Sequence, residues 1–237
     1  MLKQRIITAL VLLLVLLPAL FYPSPEPFSV LVLLLIAAGA WEWGRLNSCS
    51  QTVALLGALI CLLLCGLSWS LGLLYRPVPM VWSVAGGLWV LLGGALLRKG
   101  PPFWPSIPPG LRWSAGLGAL WVTWLAVVQA RVIGINLLLS MLVLVWVADI
   151  AAYFAGKAFG GRFSAAKLAP SISPGKSWEG VWGGMLGVVA LALAWRWADQ
   201  VWQLPPSLYS RLGTQGVWFL LLSVLFLAAM SVVGDLV

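Results

Sequence analysis

The feature that most narrows what this chain can become is its set of long runs without one charged side chain: Ile6 to Pro25, Leu46 to Tyr75, Pro77 to Leu97 and Leu212 to Gly234. Each meets the length of about 20 residues that an apolar helix needs to cross a hydrocarbon core about 30 Å thick. Composition agrees, with 62% apolar and 8% charged residues where a soluble domain carries about 25% charged. A water-soluble globule is excluded. The expected fold is an all-α polytopic integral membrane protein of about eight transmembrane helices in one bundle and one domain, 1–237. The helices are expected near 6–22, 28–43, 53–74, 79–97, 114–130, 136–155, 180–197 and 216–236. Met1 to Arg5 ahead of an apolar run has the layout of a signal peptide, yet no small-residue cleavage pattern follows, so this segment is read as the first membrane helix.

A formal charge of +8 would suggest nucleic acid as the partner of a soluble protein. Here the 14 Lys and Arg are spread over loops between apolar spans, so the expected partner is the lipid bilayer and no nucleic acid. With the N-terminus in the cytosol, Lys3, Arg5, Arg45, Arg98, Lys99, Arg112, Lys157, Arg162, Lys167 and Lys176 fall inside, and Arg76, Arg131, Arg196 and Arg211 outside. That distribution satisfies the positive-inside rule. Many of the 16 Trp, including Trp41, Trp43, Trp113 and Trp178, lie near span ends, where indole rings favour the interface. Cys61 and Cys65 sit i, i+4 in an apolar run without His or acidic partners, which favours packing over metal binding.

Two polar segments interrupt the spans, and both are expected on the cytosolic side. Arg98 to Arg112 contains five prolines, which fix φ and remove donors, and reads as a stiff connector. The basic loop 156–180, with four Lys or Arg among glycines and small polar residues, is the best candidate site. Within it, Ser171 to Gly180 reads as a flexible turn offering backbone donors and the Ser173 and Ser177 hydroxyls, closed by Lys176 and leading into a helix whose N-terminal dipole favours anions. Gly175-Lys176-Ser177 imitates the end of a phosphate-binding P-loop. Pro170 stands where that motif needs glycine, so a P-loop is rejected.

Six acidic residues occur in the chain: Glu26, Glu42, Asp149, Glu179, Asp199 and Asp235. At about 1.5 Å per residue, Asp149 lies about 20 Å from the outer end of its helix, hence about 10 Å below the cytosolic surface. An ionised carboxylate at such depth calls for a cation, a metal or a water-filled cavity. Asp235 reaches the same edge along the last span, and Glu179 caps another span there. Taken singly, Asp149 could pair with a Lys to fix packing and Glu179 could complement a helix dipole. Taken together, carboxylates and lysines facing one pocket suit Mg²⁺ and phosphate, because hard cations take oxygen ligands and substrate phosphates complete the shell.

The order Ala148-Asp149-Ile150-Ala151-Ala152-Tyr153-Phe154-Ala155-Gly156-Lys157, then Lys167-Leu168-Ala169-Pro170, then Ser173-Pro174-Gly175-Lys176-Ser177-Trp178-Glu179-Gly180, and finally Ser231-Val232-Val233-Gly234-Asp235-Leu236, resembles phosphatidate cytidylyltransferases, or CDP-diacylglycerol synthases. The opening Met1-Leu2-Lys3-Gln4-Arg5 and Trp41-Glu42-Trp43 are similar to bacterial members. The family's Pro-Gly-His-Gly-Gly turn and its further aspartates follow the Gly-Asp-Leu element and lie outside this sequence, so the chain as it stands is expected to be a fragment or an inactive copy lacking turnover.

The resemblance implies a nucleotidyltransferase of phospholipid biosynthesis, multi-pass in the cell's inner membrane with a cytosolic active face. Its partners would be CTP and phosphatidate, and its products CDP-diacylglycerol and pyrophosphate. Asp235 is the expected Mg²⁺ ligand and Asp149 a second ligand or an orienter of one. Lys176, with Lys157 and Lys167, would neutralise phosphate. Ser173 and Ser177 would donate to phosphate oxygens within the Ser173-Pro174-Gly175-Lys176-Ser177 turn, and Glu179 would bind cytidine or position Lys176. The oligomeric state is open, a homodimer being one option. Two other readings stand beside this one: a transporter or flippase of an anionic lipid or metabolite, and a related CTP-using enzyme acting on a polyprenol.

Overall fold

The computed structural model describes residues 2–164 and 166–237. Met1, part of the basic opening, and Ala165, within the basic loop, lie outside the described residues. In chain order the elements are α1 (Leu2–Phe21), α2 (Glu26–Leu46), α3 (Gln51–Ser70), α4 (Pro79–Lys99), a 3-10 helix (Pro101–Ser106), α5 (Pro109–Ile133), α6 (Ile135–Phe159), β1 (Lys167–Ala169), β2 (Ser173–Ser177), α7 (Trp178–Val201), α8 (Leu208–Gly213) and α9 (Val217–Gly234). Seven helices, α2 to α7 and α9, are long and apolar enough to span a bilayer. With α1, whose apolar stretch is Leu10–Phe21, they make the polytopic all-α membrane protein that the uncharged runs lead one to expect.

The departures are local. The proline-rich connector is shorter than expected, because Pro101–Ser106 winds into a 3-10 helix and α5 starts at Pro109. Proline is tolerated in a first helical turn, where its missing N–H would have no intrahelical partner. The expected flexible turn before α7 is instead a β-hairpin. Antiparallel β1 and β2 pair Lys167 with Ser177 and Ala169 with Ser173, and the turn closes with the Ile172 N–H donating to the Ala169 carbonyl at 3.1 Å.

The chain divides into two compact units, the first of residues 1–79 and 107–135, the second of 80–106 and 136–237. In the first, small residues let backbones approach, as membrane helices require where no hydrophobic force draws them together. A Cβ on Gly44 of α2 would lie 2.8 Å from the Ala54 Cα of α3, and Cys61 and Cys65 are wholly buried. Trp43 Nε1 donates to the Trp113 carbonyl at 3.2 Å, and the wholly buried Trp124 donates to the Ser29 carbonyl at 3.2 Å. Buried Arg131 donates to the Leu20 carbonyl at 2.9 Å, completing the end of α1.

In the second unit α6, α7, α8 and α9 meet around Leu144, Ala148, Val188, Ala192, Tyr209, Leu220, Val224 and Ala228. The α6 and α7 backbones nearly touch. A Cβ on Gly184 would stand 2.9 Å from the Ala148 carbonyl oxygen, and one on Gly180 would stand 3.0 Å from that of Ala152. This close crossing sets Asp149, on the same stretch of α6, beside the start of α7.

Candidate nucleotide and phosphate site

Three elements of the second unit converge on a cavity of about 510 Å³. The second half of α6 contributes Ala148, Asp149, Ala152, Tyr153, Gly156 and Lys157; the hairpin and the start of α7 contribute Leu168, Gly175, Lys176, Ser177, Gly180 and Val181; the end of α9 contributes Val232, with Asp235 just beyond it. The spacing on α6 follows from helical geometry: 149, 152, 153, 156 and 157 are successive i+3 and i+4 neighbours and share one face.

Each polar group is held by its local fold. Asp235 is the C-cap of α9, its N–H donating to the Ser231 carbonyl at 3.0 Å. Lys176, on β2, forms an ion pair with the Asp235 carboxylate and also donates from Nζ to the Asp235 carbonyl at 2.9 Å. Ser177 is the N-cap of α7, its Oγ accepting from the Gly180 N–H at 3.2 Å, which leaves its hydroxyl proton free to donate. The Lys157 ammonium lies 5.9 Å from the centre of the Tyr153 ring, and Tyr153 is itself exposed. No hydrogen bond or ion pair engages the Asp149 carboxylate among the described residues, although it shares the cavity with the Lys176–Asp235 pair.

Of the residues singled out from sequence, Asp149, Lys157, Gly175, Lys176, Ser177 and Asp235 line the cavity, whereas Lys167, Ser173, Pro174 and Glu179 do not. Lys167 is exposed on β1 opposite Ser177. Ser173 and Pro174 begin β2. Glu179 is buried, and its Oε1 accepts from the Phe163 and Ser164 N–H groups at 3.0 and 2.8 Å. Sequence reasoning passed over Tyr153, which the i+4 spacing from Asp149 would have placed on the same face.

The donor set can be tested against the divalent cation it suggests. No three His, Cys, Asp or Glu side chains converge among the described residues, which does not suit a protein cage. Two carboxylates on one cavity beside two ammonium groups do suit Mg²⁺, which is ordinarily bound by one or two carboxylates plus substrate phosphates and water. Lys176 already sets a positive charge against Asp235.

Comparison with known proteins identifies relatives of the chain. The model of a family described as "Cytidylyltransferase family" matches residues 3–237. A phosphatidate cytidylyltransferase of Pseudomonas aeruginosa is 38% identical over 206 residues, covering 78% of this chain and 67% of the relative. One of Haemophilus influenzae is 33% identical, covering 100% of this chain and 84% of the relative. One of Bacillus subtilis is 41% identical over 105 residues, or 44% of this chain and 33% of the relative. No solved structure matches.

Proposed function

The chain belongs to the cytidylyltransferase family, and from that premise we propose that it transfers the cytidylyl group of CTP to phosphatidate, at the cavity between α6, the hairpin and the end of α9. The observation that carries this reading is the gathering of Asp149, Asp235, Lys157 and Lys176 around one cavity of about 510 Å³ at the end of membrane-spanning helices. A lipid can keep its acyl chains in hydrocarbon there while its headgroup meets a water-soluble nucleotide.

In this reaction a phosphate oxygen of phosphatidate attacks the α-phosphorus of CTP; a new P–O bond forms and the bond to pyrophosphate breaks. Mg²⁺, when bound, would supply Lewis-acid neutralisation of phosphate charge. Asp235 and Asp149 would hold that ion through oxygen ligands. Lys176 exchanges its contact with Asp235 for a phosphate oxygen when nucleotide arrives, and Lys157 neutralises the second phosphate-bearing partner. Ser177 donates its hydroxyl proton to a phosphate oxygen while its oxygen keeps the cap on α7. The protein's part is to position and stabilise charge, a task in which removal of one group costs about 10²- to 10³-fold in rate.

Membranes containing the protein, supplied with radiolabelled CTP, should label lipid when phosphatidate is added and fail to do so with a polyprenol; chelation should abolish labelling and Mg²⁺ restore it. Labelling of the polyprenol in place of phosphatidate would assign another lipid acceptor, and absence of labelling with both would remove the transferase reading. The ten-to-four distribution of basic residues favours a cytosolic active face in the inner membrane. A cysteine introduced at Ser164 should therefore react with impermeant reagents in inverted vesicles and stay unlabelled in intact cells.

A further inference from the structure

Glu179 does not line the cavity, yet it is 4% exposed and its Oε2 is buried without a hydrogen-bond partner among the described residues. Burying a carboxylate is costly unless it is well bonded, so the contacts it does make carry weight. Its Oε1 accepts two consecutive backbone donors, Phe163 N at 3.0 Å and Ser164 N at 2.8 Å, from the connection that leaves α6. This connection is a tight turn. The Gly160 N–H donates to the Gly156 carbonyl and the Arg162 N–H to the Phe159 carbonyl, both at 2.9 Å, while Gly161 has φ of 78°, a left-handed conformation that glycine adopts without steric cost.

What the turn displays is unlike an ordinary solvated loop. Phe159 and Phe163 are 45% and 73% exposed, their rings 6.3 Å apart, and the Arg162 guanidinium lies 5.8 Å from the Phe159 ring centre. The turn follows Gly156 and Lys157, which line the cavity. α6, at 25 residues, rises about 37 Å and so outlasts a hydrocarbon core of about 30 Å, which brings its end to the membrane interface. Exposed Trp178 and Trp182 of α7 flank the clasp. Aromatic rings beside an arginine suit the boundary where a phosphate headgroup meets the first methylenes of its chains.

We propose that Glu179 is a positioning residue whose buried carboxylate clasps the turn after α6 and thereby holds Phe159, Arg162 and Phe163 as a lipid-side rim just beyond the Gly156 and Lys157 edge of the cavity, seating the phosphate and upper acyl chains of the acceptor. This rests on the reading of the acceptor as a phosphate-bearing lipid. The guanidinium faces the anionic headgroup, the rings cover the upper chains, and Lys157 meets the same phosphate from the cavity side.

The test uses the protein in nanodiscs containing a phosphatidate with a photoactivatable group near the top of one chain. Cross-links should concentrate on residues 159–164. Glu179→Ala should lower that labelling about tenfold, the scale of one charge-assisted contact, and should speed hydrogen exchange at the Phe163 and Ser164 amides. Glu179→Gln keeps an acceptor oxygen and should retain both slow exchange and labelling within about twofold of the original. Phe163→Ala should lose labelling while the Ser164 amide stays slow, which separates the lipid contact from the clasp. Cross-links outside 159–164, or unchanged labelling in Glu179→Ala, would overturn the inference. Lipid cross-linking on this turn in a protein that transfers no cytidylyl group would uphold the inference and overturn the transferase reading; transfer with cross-links elsewhere would do the opposite.

Discussion

Aspartates at opposite ends of the second unit show how differently one residue type can be used. Asp199, near the end of α7, is 5% exposed with both oxygens engaged. Oδ1 accepts from Asn136 Nδ2 at 2.8 Å; Oδ2 accepts from the Ser207 N–H at 3.2 Å and from the Ser207 and Ser210 hydroxyls. Asn136 is held in turn by Trp195 Nε1 at 2.9 Å, and Tyr209 beside it donates to the Ser140 carbonyl at 2.9 Å. This is a closed polar network, in which a buried carboxylate of α7 is stabilised by donors on α6 and in the first turn of α8 and its cap. About 30 Å away along α7, the cavity end holds Asp149, without a hydrogen bond among the described residues, and Asp235, engaged by Lys176. Satisfied acids hold a fold together, and acids left open at a cavity are available for chemistry.

The comparison is broken most severely by exchanging what the two ends lose. Asp235→Asn and Asp149→Asn, which keep size and remove charge, should each lower cytidylyl transfer at least about 100-fold while leaving the thermal midpoint of the detergent-solubilised protein unchanged; a drop in midpoint matching the loss of turnover would class them with Asp199. The reverse pattern is expected for Asp199→Ala. Four donors lose a charged acceptor at once, so stability should fall by about 2 kcal/mol, read as a lowered midpoint, with turnover per folded molecule unaltered.

Smaller effects sharpen the same contrast. Lys176→Ala removes one phosphate partner and one partner of Asp235, and should raise the CTP concentration needed for half-maximal rate about tenfold; an unchanged value with lost stability would make the pair structural. Lys167→Ala, on an exposed side chain outside the cavity, should change rate and stability less than about twofold, as exposed charges ordinarily do. A large loss there would extend the site along β1.

How far these features could be read from sequence depends on the length over which a signal repeats. Helices such as α3 and α9 are written in 20 or 18 nearly uninterrupted apolar residues, and their helical state follows from the bilayer's refusal of unpaired backbone. Asp149 and Asp235 stood out because charge within or beside such runs is costly, and Lys176 because it closes a polar turn ahead of a helix N-terminus. The hairpin gave no comparable signal, since Lys167-Leu168-Ala169 and Ser173-Pro174-Gly175-Lys176-Ser177 are short and include proline and glycine, which strands disfavour; the two strands are brought together by the α6 and α7 ends on either side. α8 spans six residues, too few for a period. Glu179 was visible as an acid in a first helical turn, but its partners are backbone N–H groups of Phe163 and Ser164, which every residue other than proline possesses.

The central claim, that nucleotide binds where α6, the hairpin and α9 meet, is tested most directly by photocross-linking a radiolabelled CTP analogue to the membrane-embedded protein and locating the labelled peptides. The account requires Mg²⁺-dependent labelling confined to segments 149–157, 173–181 and 232–236, competed by CTP and lost in Asp235→Asn. Labelling that maps to the first unit, or that persists undiminished in Asp235→Asn with Mg²⁺ present, would contradict it.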